Sequence, residues 1–312
     1  MREIAKVMQR SISTLSDELK RNQVKGIYDA KKAQHKAYAR RKYSKYQGMK
    51  IVSENRLRDF VEENLLDGQS PENISGRIKK VEKELPTVSK DSIYRFIESP
   101  YGRQIEFART NGRRKGNKRG KKKQPIADRN FINERPESIN ERSEIGDAEA
   151  DFIVSGKDGK GILLVIVDRK TRAAFVEKIT DVSIENVHLS FVKIQQRFPE
   201  MKTITTDNDI LFRKHKELEK LLSIKIYFCH PYHSWEKGTV ENTNKYIRKD
   251  IPKESNISKY SKKFILSVEE KLNRRFMKCL AHATPNELLK EFRNQKNRQV
   301  AKCKSVRIEP VG

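Results

Sequence analysis

The stretch "DFIVSGKDGKGILLVIVDRKTRAAFVEKI", residues 151–179, holds three apolar runs separated by two short turn signals. "DFIVSG", "GILLVIVDR" and "RAAFVEKI" are rich in Val, Ile, Leu and Phe, whereas "KDGK" and "RKT" carry the glycine and polar residues that reverse a chain. Three consecutive strands follow from this pattern. The apolar period then switches. "SIENVHLSFVKIQQRF" reads as a helix, "KTITTD" as a strand, "FRKHKELEKLLS" as a helix and "IKIYFCHP" as a strand, before amphipathic helices over "GTVENTNKYIRKDI" and "KKFILSVEEKLNRRF". Three strands followed by alternating helix and strand predict a mixed α/β sheet with helices on both faces.

The 312 residues give room for two or three domains, and 35% hydrophobic content suffices for one sizeable core plus small helical units. The formal net charge of +26 attracts a polyanion, for which nucleic acid is the leading candidate. A ribosome-like or merely basic protein stays open on charge alone. No apolar run approaches 18 residues, so no membrane span or membrane partner is expected. "MREIAKVMQR" lacks the apolar stretch of a secretory signal, and Cys229, Cys279 and Cys303 are scattered without a CxxC pair. A reducing, intracellular compartment is expected.

Ahead of the strands the pattern is helical. In residues 1–22, Ile4, Ala5 and Met8 share one face and Ile12, Leu15 and Leu19 another, with Ser13 or Thr14 beginning the second helix. Such a capped pair is the core of a helix-turn-helix, which places Ser13, Thr14, Arg21 and Asn22 on the helix that would enter a major groove. A full unit needs a helix before these two, so a truncated or incomplete first unit is expected. Residues 53–98 carry a second unit. Leu57, Phe60, Val61 and Leu65 face inward on a helix closed by Gly68; Ser70 caps and Pro71 opens the next, with Ile74, Ile78 and Val81 inward; a third starts at Ser89 and presents Lys90 and Tyr94. Three short helices of this kind make a DNA-binding module or a plain bundle.

"KKAQHKAYARRKYSKY" suits a helix lying along phosphates, and "RTNGRRKGNKRGKKKQP" is an acid-free linker whose Arg113, Arg114 and Lys115 would meet phosphate without reading sequence. The expected organisation is a partial helix-turn-helix with a basic helix in 1–50, a second helix-turn-helix-like module in 51–100, a basic linker in 101–143, a catalytic core in 144–292 and a basic tail in 293–312.

Within the core, "KTITTDNDILF", residues 202–212, ends its strand on bare carboxylates. If that strand neighbours the first, Asp207 and Asp151 meet at one end of the sheet, and Glu241 reaches in from the helix after the last strand. Three convergent carboxylates suit a pair of divalent cations engaged in phosphodiester chemistry. Asp147, Glu149 and Asp151 alternate and so share one face, and residue physics alone leaves the choice among them open. Lys245, Arg248 and Lys249 follow Glu241 at helical spacing, either to hold phosphates or as a solvated face. His230 and His233 form an HxxH on a strand-to-loop segment, better suited to loop histidines near a DNA backbone than to a two-ligand zinc site. Trp235 is expected to pack the loop that carries Glu241. No glycine-rich phosphate loop is present, so no nucleotide partner is expected.

"IGDAEADFIVSG", "TITTDN" and "YFCHPYHSWEKGTVENTNKYIRKDIPK" resemble the insertion-sequence transposases of the IS-thirty family. The family's third block runs Pro-x-Ser-Pro-Trp-x-Arg-Gly-Thr-x-Glu-Asn-x-Asn, and Trp235, Gly238, Thr239, Glu241, Asn242 and Asn244 fall in register with it. Thirty-three residues separate Asp207 from Glu241, as in the family. The resemblance extends to both helical units and to "LNRRFMKCLAHATPNELL", with Phe276 in place of a proline. It implies an α+β protein: all-α helix-turn-helix modules followed by an α/β RNase H-like, retroviral-integrase-like core. It selects Asp151, Asp207 and Glu241 as catalytic residues and ligands of two Mg²⁺ ions, with Mn²⁺ as substitute. Asn242, Asn244, Lys245 and Arg248 would lie against DNA.

A DNA transposase acting on inverted-repeat ends and target DNA is implied, as a homodimer or higher oligomer, in the bacterial cytoplasm with the nucleoid. Departures from the family pattern are Ala148, Ala150, Asp209, Leu211 and Asp17. They keep two rivals open: a truncated, non-catalytic DNA-binding inhibitor, and a metal-dependent nuclease that cuts without joining.

Overall fold

Ser11, Ser70 and Ser89 each turn a side-chain oxygen onto the backbone N–H three residues on, and each starts a helix. A cap of this kind stabilises a helix by about 1 kcal/mol. The structure, a computed structural model, describes residues 1–23, 25–44, 48–102, 104–105, 128–230 and 233–306; the side chains of 42, 43, 234, 235 and 299–306 lie outside that description.

Helices α1 (Arg2–Val7), α2 (Ile12–Asn22) and α3 (Ala30–Ser44) form the first unit. The cap of α2 is Ser11, ahead of the expected Ser13 or Thr14, whose hydroxyls instead bond to Ser11 Oγ at 2.9 and 2.7 Å. Ser11 wins because its extended backbone (φ −68°, ψ 148°) turns its oxygen onto the Thr14 N–H. Ala5 is buried, while Ile4, Met8 and Ile12 are exposed.

The second unit comprises α4 (Lys50–Ser53), α5 (Asn55–Leu66), α6 (Pro71–Lys80) and α7 (Lys90–Ile97). Leu57, Val61, Leu65, Ile74, Ile78, Ile93 and Phe96 close one small core, and each such side chain contributes about 1.5–3 kcal/mol by leaving water. Val81 is the exception to the expected face: α6 ends at Lys80, and Val81 is exposed as its C-cap.

Through α6 this unit docks on the core that follows it. Gln69 donates to the Arg274 carbonyl and accepts from the Phe276 N–H, and Asn73 donates to the Phe276 carbonyl. Arg77 lies over the Phe276 ring and bonds both Glu287 oxygens at 2.6 and 2.7 Å. Gly76 leaves room at this contact for the His282 ring, which a Cβ there would meet at 2.1 Å and force to shift. With α6 turned to the core, Lys90 and Tyr94 of α7 remain exposed.

The core is built on β1 (Asn130–Phe131), β2 (Asp147–Val154), β3 (Ile162–Asp168), β4 (Ala174–Ile179), β5 (Thr203–Thr206) and β6 (Lys225–Phe228) in the order β1-β6-β5-β2-β3-β4. β2, β3 and β4 are an antiparallel meander, and β5, β6 and β1 extend it as parallel neighbours beyond β2. This is the RNase H-like arrangement. The β3 side chains alternate between two cores: Ile162, Leu164 and Ile166 in one, Leu163, Val165 and Val167 in the other. The first core is closed by α9 (Ile184–Arg197) and α10 (His215–Leu222), after the short α8 (Glu137–Asn140). The second is closed by α11 (Gly238–Asp250) and α12 (Lys262–Asn273).

Three details differ from the expected layout. β2 begins at Asp147 rather than Asp151, because Asp147 and Glu149 find partners on the sheet face, and the two-residue β1 joins the sheet ahead of residue 144. The last helix, α13 (Pro285–Val306), runs unbroken across position 292.

Candidate active site

β2 and β5 lie side by side and parallel, with Asp147 opposite Thr203 and Glu149 opposite Thr205. Two residues further on come Asp151 on β2 and Asp207, the first residue beyond β5. The strand of "KTITTD" therefore delivers Asp207 next to Asp151. Between them stands Lys237, only 5% exposed, with Nζ 2.8 Å from Asp151 Oδ1 and 3.5 Å from Asp207 Oδ2.

Glu241 lies in the first turn of α11, and Asn244, three residues on, donates from Nδ2 to Asp151 Oδ2 at 2.7 Å. Asn244 Oδ1 is buried and has no hydrogen-bond partner in the structure. A buried acceptor without a donor is costly unless a cation or water meets it.

Burial pushes the Asp151 carboxyl above the ordinary carboxylate range, against the opposing Lys237 charge, and Asp207 adds to the rise. Glu241 is raised likewise, by burial first and then by Asp151, with Lys237 opposing. For Lys237, burial favours the neutral amine, but the combined attraction of Asp151 and Asp207 outweighs it and the pKa rises. The pair is asymmetric: one ammonium gains from two carboxylates, while Asp151 loses more to burial than one ammonium returns. At neutral pH Lys237 is charged.

The other two alternating carboxylates have different work. Asp147 accepts from Thr203 Oγ1 at 2.7 Å. Glu149, 1% exposed, binds Arg169 at 2.6 Å and accepts the backbone N–H groups of Thr239 and Val240 at 2.8 and 2.9 Å. It thus sits on the N-terminal end of α11, where orphan N–H groups and the helix dipole favour an anion. The carboxylate that leads Asp151 along the strand holds the helix that carries Glu241.

Sequence reasoning missed Lys237 and the role of Glu149. Lys237 falls at the Arg of the Trp-x-Arg-Gly block, and that basic position was the available signal. Nothing in the alternation singles out Glu149; its role comes from Arg169 and from the packing of α11.

The expected DNA contacts are scattered. Asn22 is buried and holds Arg40. The Arg248 guanidinium donates to the carbonyls of Val154 and Pro252, bracing α11 against the end of β2. Asn244 points to Asp151. Ser13, Thr14, Arg21, Lys90, Asn242 and Lys245 are exposed, and Tyr94 is exposed with its hydroxyl on Glu72. Arg113, Arg114 and Lys115 lie outside the described residues, as does the side chain of Trp235.

Among the departures, Asp209 has φ −78° and ψ 140°, an extended conformation that needs no glycine, and its side chain caps the following turn. Ala148 and Ala150 are fully buried, and Leu211 packs on the core.

Helical modules ahead of an RNase H-like sheet, with carboxylates gathered at the end of β2 and β5, define an integrase-like protein. The chain is 38% identical to the transposase for insertion sequence element IS4351 of Bacteroides fragilis, over 94% of this chain and 90% of that one. It is 31% identical to the IS1086 transposase of Cupriavidus metallidurans, over 93% and 88%, and 29% identical to the IS30A transposase InsI of Escherichia coli K12, over 93% and 78%. The chain belongs to the IS30 family of insertion-sequence transposases. No family model matches it. Among solved structures it is similar to the catalytic core domain of BIV integrase, with a TM-score of 0.38, 19% identity, and coverage of 49% of this chain and 98% of that one. Among the described residues no helix is long and apolar enough to cross a membrane.

Proposed function

We propose that this transposase binds the terminal inverted repeats of its insertion sequence and catalyses DNA cleavage and strand transfer at Asp151, Asp207 and Glu241. The observation that carries this is the convergence of Asp151 and Asp207, from adjacent parallel strands, on one buried ammonium. The donor set fits divalent cations of the Mg²⁺ class: carboxylate oxygens throughout, with the orphaned Asn244 Oδ1 beside Asp151. Two such ions, held by Asp151, Asp207 and Glu241, would supply an activated attacking oxygen and charge neutralisation at the leaving oxygen. Mn²⁺ would substitute.

The chain's own groups prepare the site. Lys237 holds the two aspartates together against their mutual repulsion, Asn244 fixes the orientation of Asp151, and Glu149 seats the first turn of α11 so that Glu241 faces them. In the first step water attacks the phosphodiester at the transposon end; the P–O3′ bond breaks, leaving a 3′-hydroxyl and a 5′-phosphate. In the second, that hydroxyl attacks a phosphodiester of the target, forming a new P–O3′ bond and releasing the target's own 3′-hydroxyl. The +26 net charge favours DNA on which α7 presents Lys90 and Tyr94 and α11 presents Asn242 and Lys245. Because two ends must be joined, the working form is a homodimer or higher oligomer in the bacterial cytoplasm.

The test uses labelled duplexes from the DNA flanking the gene, with Mg²⁺, comparing the wild-type chain with Asp207→Asn. Joined product that depends on Mg²⁺ and falls by on the order of 10³-fold in the variant supports the reading, since several kcal/mol of transition-state stabilisation are lost. Cleavage without joining indicates a nuclease. Binding alone, equal in both proteins, indicates a regulatory DNA-binding protein.

A further inference from the structure

His230, His233 and Glu236 lie outside the Asp151, Asp207 and Glu241 cluster, and each offers one ligand atom within 4.8 Å of the other two. The two imidazoles share one carboxylate oxygen: His230 Nδ1 is 2.9 Å and His233 Nδ1 3.2 Å from Glu236 Oε1. The second oxygen, Oε2, is fixed by the His230 backbone N–H at 2.8 Å, so Oε1 is held toward both rings. The separations match a metal site. A tetrahedral ion with bonds of about 2.0–2.1 Å holds its ligand atoms about 3.3 Å apart.

Outer partners orient the ligands. Asn133 Nδ2 lies 3.4 Å from His230 Nε2, leaving Nδ1 to face the carboxylate, and Phe131 stacks on the same ring with centroids 5.6 Å apart. In the metal-bound form Nε2 carries the proton, and the Asn133 amide turns over to accept it on its oxygen, the usual partner for a metal-binding imidazole. The third member, Glu236, is what turns a bare HxxH into three converging donors.

We propose that His230, His233 and Glu236 bind one divalent transition-metal ion of the zinc class, with an open position for water. Two imidazoles and one carboxylate select Zn²⁺ or Co²⁺ over Mg²⁺, which prefers oxygen ligands alone. The ion clamps the segment between β6 and α11. Glu236 immediately precedes Lys237 and lies five residues before Glu241, so the clamp holds both groups in register with Asp151. This site is separate from the oxygen-ligand site and does not depend on the strand-transfer reading.

The experiment titrates Co²⁺ into the full-length, untagged, metal-stripped chain and follows its visible ligand-field absorption. One four-coordinate Co²⁺ per chain, displaced by Zn²⁺ but not by excess Mg²⁺, is expected. The absorption should vanish in His233→Asn and in Glu236→Gln, weaken about tenfold in affinity in Asn133→Ala, and persist in Asp207→Asn. His233 is half-exposed on its loop, so its variant keeps the fold, and circular dichroism checks that it does. Failure of the wild type to bind overturns the proposal. So does binding unchanged in a folded His233→Asn, or binding lost in Asp207→Asn, which would place the ion at the other carboxylates.

Discussion

The buried ammonium of Lys237 stands 2.8 Å from Asp151 Oδ1. It also reaches Asp207 at 3.5 Å and takes the position of a cation between two carboxylates. A metal ion held by Asp151 and Asp207, as proposed, would compete with this lysine for the same negative charge.

Replacing that ammonium separates the two roles. Lys237→Met removes the ammonium that Asp151 and Asp207 share. Breaking a buried pair costs about 3–5 kcal/mol, and here the cost falls to about 2 kcal/mol because the carboxylates keep 22% and 32% exposure. Saturating Mg²⁺ should restore most of the loss, and more in the variant than in the wild type. Urea denaturation with and without Mg²⁺ measures both; a variant whose deficit ignores Mg²⁺ contradicts the shared-position account.

Glu149 offers a test of how Glu241 is positioned. In Glu149→Gln the buried Arg169 loses its charged partner and the N-terminal N–H groups of α11 lose their anion. Stability should fall by about 3 kcal/mol. DNA affinity should hold while turnover drops at least tenfold, since Glu149 does not face solvent. Equal stability in variant and wild type would show that α11 is seated by other contacts.

The pH dependence follows from the raised Glu241 carboxyl. A carboxyl whose pKa is higher in the folded than in the unfolded chain stabilises the fold when protonated, and that contribution is lost as pH rises through the folded pKa. Above that folded pKa and without metal, ionised Glu241 is a net cost. Glu241→Gln should therefore melt higher than wild type at pH 7, and the gap should close as pH falls below about 4.3, the unfolded value. A gap that widens toward acid reverses the sign of the argument.

Asp207 and the strand before it were legible because "KTITTD" ends abruptly in charge. The α/β layering was legible for another reason: "GILLVIVDR" is apolar on both faces, as a central strand must be. The choice among Asp147, Glu149 and Asp151 was not. All three share a face, and only Arg169, Thr203 and the end of α11 tell them apart. Lys237 was hidden by an overall excess of lysine, where one buried ammonium has no local signature. Ser11 displaced Ser13 and Thr14 as the cap because backbone geometry, not residue type, decides among neighbouring hydroxyls. β1 is two residues long, too short to carry a period.

The most direct measurement is a metal switch at Asp207. The Asp207→Cys variant replaces a hard oxygen by sulfur, which binds Mg²⁺ poorly and tolerates Mn²⁺ better. Strand transfer on inverted-repeat duplexes would be measured for wild type and variant with each ion. The account predicts that the wild type joins DNA with either ion, whereas the variant is inactive with Mg²⁺ and recovers joined product with Mn²⁺. A variant equally active with both ions, or a wild type that needs no divalent ion, would contradict metal binding by Asp207.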